Sequence, residues 1–132
     1  MKRKSPSMDA WLKEVKAHET APMVGMYLIH SGVVRQTAKA QVRGGAAQSK
    51  KVTGMILSVD RKRIDAVTEE ARKMEGIYYI RIWLNEGELQ VGDDLMFVLV
   101  GADIRPNAEK AMQYLVGCIK ETCVIETEVS EA

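Results

Sequence analysis

Apolar positions along the chain switch between helical and extended periods, and the switches mark the elements. Met8, Trp11, Leu12 and Val15 recur at helical spacing, with Lys13, Glu14 and Lys16 pointing away. Ser5-Pro6-Ser7 reads as the start of this helix, a cap residue followed by proline in the first turn. Thr20-Ala21-Pro22 ends it and admits a long strand over Met23–Val34, apolar on both faces and so expected inside a sheet or at a subunit contact. Val52–Val59 is a second strand. Asp60 then caps a helix whose Ile64, Val67, Ala71 and Met74 form one stripe, stopped by Glu75-Gly76. Ile77–Leu84 is a third strand, Asn85 to Glu88 a turn, and Leu89–Asp94 a short extended piece with a turn at Gly92-Asp93. Leu95–Val100 is an apolar strand. Pro106 opens a last helix, with Ala108, Ala111, Met112, Leu115 and Ile119 inward, that runs to Lys120. Thr122–Glu128 closes as a strand or extended tail.

Without the first helix and strand the order is β-α-β-β-α-β. That suits an α+β domain with helices packed on a mainly antiparallel sheet. The 132 residues are the size of one domain, and a 46% hydrophobic fraction supplies a core without disulfides or metal. Residues 1–132 are therefore read as a single domain. Within it, Arg35 to Lys51 breaks the pattern: Arg35, Lys39, Arg43, Lys50 and Lys51 occur with no acid and a Gly44-Gly45 pair, which predicts a mobile basic loop at about 36–51.

Charge and composition exclude several functions. Net charge is +1, so the chain is not a globally basic nucleic-acid binder, although the loop could bind phosphates weakly in a salt-dependent way. Aromatics at 5% are too few for a base-stacking platform. No secretion signal or apolar span is visible, and Cys118 and Cys123 are too few for a disulfide scaffold. A cytoplasmic, reducing compartment is expected. The cysteines, five apart, lack redox spacing and read as core thiols. There is no phosphate-binding glycine loop and no zinc spacing, so no metal or cofactor is expected. Of two histidines, His30 lies in an apolar strand and reads as a structural, hydrogen-bonded residue.

Three segments remain: Gly32-Val33-Val34-Arg35, Gly87-Glu88-Leu89-Gln90-Val91-Gly92-Asp93, and Gly101-Ala102-Asp103-Ile104-Arg105 leading into the helix toward Lys120. With Glu70-Ala71-Arg72, their order and spacing resemble the large subunit of molybdopterin synthase, the MoaE family, over roughly Asp9 to Glu128. The resemblance implies a MoaE-like α/β-hammerhead fold, a homodimer, and a small ubiquitin-like sulfur-carrier subunit as partner. It also implies sulfur transfer from that subunit's C-terminal thiocarboxylate to a cyclic pyranopterin phosphate, in molybdenum cofactor biosynthesis.

Such chemistry needs cations for the phosphate and developing oxyanions, and a lysine to assist acyl transfer. By resemblance, Arg35 matches an anion-binding arginine, Arg105 the arginine of a His-Arg pair, and Lys120 a catalytic lysine. Lys50 and Lys51 of the basic loop are candidates to fold over the substrate. The family pattern is incomplete: Ile104 stands at the histidine position, Leu84-Asn85 replaces a second His-Arg pair, and Thr127 falls where a second lysine is usual, beside Glu126. These departures leave an alternative, a homologue that binds a small-subunit-like partner or an anionic pterin without transferring sulfur.

Overall fold

A computed structural model describes residues 4–36 and 52–130. Helix α1 spans Met8–Lys16, and the Ser7 hydroxyl accepts a hydrogen bond from the Ala10 N–H at 3.2 Å. The cap is therefore Ser7, with Pro6 ahead of it rather than in the first turn, because the serine adjoining the apolar stripe is the one that reaches a free N–H.

Strand β1, Met26–Val33, begins later than the apolar run. Ala21–Met23 forms a 3-10 turn around Pro22, which has no N–H for a ladder. Pairing starts where Gly25 N–H donates to Ala102 O at 2.8 Å. A Cβ on Gly25 would sit 2.1 Å from Asp103 O, so glycine permits the approach. Strand β2 is Val52–Val59, followed by helix α2 at Arg61–Arg72. Asp60 caps α2 through its carboxylate and the Arg63 N–H, 3.2 Å apart. Asp60→Ala is expected to cost about 1 kcal/mol in urea denaturation. Strands β3 (Ile77–Leu84), β4 (Gly87–Gln90) and β5 (Asp94–Ala102) follow, then helix α3 at Arg105–Cys118, a π turn at Ile119–Cys123 and strand β6 at Val124–Ser130.

The strands form two antiparallel three-stranded sheets, ordered β1-β5-β3 and β4-β2-β6. The α+β reading holds, with the antiparallel strands divided between two sheets. In the first sheet β1 is an edge, which excludes the interior placement and leaves the expected alternative of a subunit contact. Within the chain, its two apolar faces match a sheet that is covered on both sides. Along β5, Met96, Val98 and Val100 enter the main core, which contains Ala111 and Leu115 of α3, while Phe97 and Leu99 pack with Trp11 and Val15 of α1. On the α1 side Arg81 lies 4.5 Å from the Trp11 ring centroid and pairs with Glu14. The second sheet turns Leu57 and Leu89 into the main core and leaves Ile56, Ile125 and Val129 exposed. Among the described residues no helix is long and apolar enough to cross a membrane.

Candidate active site

The period-two alternation of β1 packs Leu28 against the main core and carries His30 and Gly32 along the same face, opposite Val98 and Met96 of β5. Beyond them Val34 is clamped to the β4–β5 turn: its N–H donates to Asp93 O at 3.0 Å, and its carbonyl accepts from Gly92 N–H at 2.8 Å. Gly92 has φ +93°, which the tight turn requires and other residues rarely adopt. This clamp sets the chain direction at Arg35.

Lys120 arrives from the other end of the main core. Helix α3 ends at Cys118 rather than running through Lys120, and the π turn replaces its last residues. The turn is held by Thr122, whose hydroxyl donates to Cys118 O at 2.8 Å, and by buried Ile119 and Cys123. Wider turns of this kind recur at functional sites because they re-aim side chains out of helical register. Cys118 is half-buried, Cys123 is buried, and both thiols are free.

Strand β6 forms the third side. Glu128 pairs opposite Met55 and Glu126 opposite Leu57, on the inward side of the second sheet. Thr127, between them, is exposed on the opposite face. The position where the resemblance places a second lysine therefore turns away, and carboxylates take the inward positions.

These elements form a cleft of about 500 Å³ lined by His30, Arg35, Lys120, Glu126 and Glu128 together with the apolar Met55 and Leu95. Lys120 Nζ lies 3.9 Å from Glu126 Oε2, whose side chain is 12% exposed. Of the sequence candidates, Arg35 and Lys120 meet here. Arg105 does not line this cleft: it begins α3, whose 14 residues span roughly 21 Å at 1.5 Å each. It pairs with Glu109 at 3.4 Å on an exposed helix surface. Lys50, Lys51 and nearly all of the predicted basic loop lie outside the described residues.

His30 is the residue the sequence reading undervalued. Expected to be a hydrogen-bonded structural residue, it is half-buried with no hydrogen-bond partner for either ring nitrogen among the described residues. Burial first, and the Lys120 charge second, hold its pKa below the ordinary 6.5. The available signal was its even spacing from Leu28 and Gly32, which puts it on one face with a residue that leaves space. A second cleft, about 570 Å³, lies against β4, but its charged liners are Glu86 and Glu88. An anion is disfavoured there, whereas Arg35 and Lys120 can hold one.

The charge balance of the first cleft is testable. Glu126→Gln removes the carboxylate that competes for Lys120. Inorganic phosphate is expected to bind roughly two- to fivefold more tightly by calorimetry, the equivalent of about 0.5–1 kcal/mol.

The family model for MoaE protein matches residues 3–122. The chain belongs to the MoaE family. No curated protein matches its sequence. Solved structures give the same fold at low identity. A molybdopterin synthase from Staphylococcus aureus superposes with TM-score 0.72 and 20% identity, covering 96% of this chain and 88% of the other. A molybdopterin biosynthesis MoaE protein from Burkholderia ambifaria gives 0.70 and 19%, covering 97% and 82%. A complex of subunits 1 and 2 of molybdopterin-converting factor from Helicobacter pylori gives 0.67 and 13%, covering 96% and 81%. The clamp at Arg35 and the turn carrying Lys120 are thus built on a MoaE-family fold.

Proposed function

We propose that this MoaE-family chain is the large subunit of a molybdopterin synthase and acts in molybdenum cofactor biosynthesis. Its reaction is sulfur transfer from the C-terminal thiocarboxylate of a small ubiquitin-like subunit to a cyclic pyranopterin phosphate. The observation that carries this reading is the convergence of Arg35 and Lys120, 85 positions apart in the sequence, on one cleft. The MoaE assignment and the two-subunit Helicobacter pylori structure support it.

In this reading Arg35 binds the substrate phosphate or the carboxyl end of the carrier tail through charge-assisted hydrogen bonds. Lys120 lies where charge develops on the acyl oxygen and stabilises it. Lys50 and Lys51 contribute further cations for the phosphate. The chain works in the cytoplasm as a homodimer, each copy with one small subunit.

The carboxylates give the binding-only alternative its own support, since Glu126 partly neutralises Lys120. Size-exclusion chromatography with the organism's own small subunit separates the first stage from the second. A stable complex, weakened by Arg35→Glu, is the expected result. Absence of any complex would contradict the assigned partner.

A further inference from the structure

The cleft contains one ionisable group with no place in the reading above. His30 projects from an edge strand into the same space as Lys120, and neither imidazole nitrogen is engaged by a hydrogen bond among the described residues. Held in no hydrogen bond by the described residues, the half-buried imidazole is open to a water or ligand in the cleft. Gly32 keeps the space beside it open: a Cβ there would lie 3.7 Å from His30 Nε2 and 3.1 Å from Met96 Cγ.

Sulfur transfer from a thiocarboxylate creates a need for such a group. When the sulfur bonds to the pterin it is still acylated by the carrier tail. Freeing it requires cleavage of that acyl–sulfur bond by water, which leaves the carrier with a carboxylate. Water at neutral pH is a poor nucleophile and needs a base. The carboxylates of Glu126 and Glu128 also face the cleft, but Glu126 is engaged as the counter-ion of Lys120, 3.9 Å away.

We propose that His30 is the general base of this hydrolytic step, taking the role that the missing second lysine leaves open. The inference rests on the sulfur-transfer reading. An imidazole nitrogen removes a proton from water as the hydroxide oxygen adds to the acyl carbon. The acyl C–S bond then breaks, and the electron pair leaves on the pterin sulfur. The imidazolium returns its proton to that thiolate, and the carrier tail departs as a carboxylic acid that ionises in solvent. Lys120 holds the oxyanion during the addition.

The surroundings fit a base that is neutral at physiological pH. Lys120 faces His30 from the π turn, Arg35 from the end of β1, and Glu126 and Glu128 from β6, while β2 and β5 contribute the uncharged Met55 and Leu95. Burial and the Lys120 charge both favour the neutral form. Lowering the pH through the His30 pKa protonates the base and removes activity. The rate profile should therefore have an acidic limb whose midpoint lies below 6.5.

The test compares wild type, His30→Gln and His30→Phe in single-turnover sulfur transfer from pH 5 to 8, with complex formation measured alongside. The expected result is a loss of about 10²- to 10⁴-fold at pH 7.5 in both variants, disappearance of the acidic limb and unchanged complex formation. An NMR titration of the His30 ring should move upward in Lys120→Ala, a coupling readable without turnover. Wild-type turnover with an unchanged profile in His30→Gln would overturn the role of His30 and leave the sulfur-transfer reading intact. A complex that never turns over in wild type would overturn both.

Discussion

Lys120→Ala is expected to slow sulfur transfer by about two to three orders of magnitude while leaving the complex with the small subunit intact. The magnitude is that of deleting one preorganised electrostatic contact to a developing oxyanion. The reason the loss should appear in the chemical step lies in the placement of the residue. Lys120 is set by the π turn at the inner wall of the cleft, 32% exposed and 3.9 Å from Glu126, so its ammonium is held before substrate arrives. Removing it also leaves Glu126 inward without that charge, which disfavours an approaching anion. Lys120→Arg preserves a cation but changes its shape, and should recover part of the rate. Single-turnover rates for the three proteins, with complex formation measured on the same samples, check this. An alanine variant that transfers sulfur at the wild-type rate would remove Lys120 from the chemistry.

The largest expected effect on stability is at Leu115. Its side chain is fully buried in the main core, on the face of α3 that packs beneath β5 and β1. Leu115→Ala leaves a cavity in the core cluster that includes Val98, Val100 and Ala111, and should cost about 2–5 kcal/mol. Urea denaturation should show a lower midpoint with an unchanged slope. Ile125→Ala is the control: with 69% exposure, the change should stay within about 0.5 kcal/mol. Leu115 lies one and a half turns before Lys120, so the same variant should also loosen the turn that aims the lysine.

What was legible in the sequence was the local physics. The α1 and α2 stripes follow from helical spacing, and Asp60 caps as its position before Arg61 suggests. The strand over Ile77–Leu84 has the same bounds in the structure, because Gly76 and the Asn85-Glu86 turn punctuate it on both sides. Other boundaries depend on partners that a linear pattern does not name. β1 begins at Met26 because β5 ends at Ala102, and the apolar residues before it have no strand to pair with. Strand order was not legible, and it decides that β1 is an edge and that two sheets share one core.

The site was legible by halves for the same reason. Arg35 and Lys120 stand out through the family pattern, yet their meeting depends on the Asp93 clamp and the π turn. Glu126 reads in sequence as a neighbour of the substituted lysine position. In the structure, alternation along β6 turns Glu126 and Glu128 inward and Thr127 out. His30 was hidden by its apolar neighbours, since a histidine in such a strand looks like a core residue until the cleft beside it is seen.

Reconstitution of the reaction decides whether this chain transfers sulfur. The chain, its own small subunit loaded as the thiocarboxylate, and the cyclic pyranopterin phosphate are combined, and dithiolene product is followed by mass spectrometry. Product that depends on Lys120 is the expected result. A stable complex that consumes no thiocarboxylate and forms no dithiolene would contradict it and make this chain a binding member of its family.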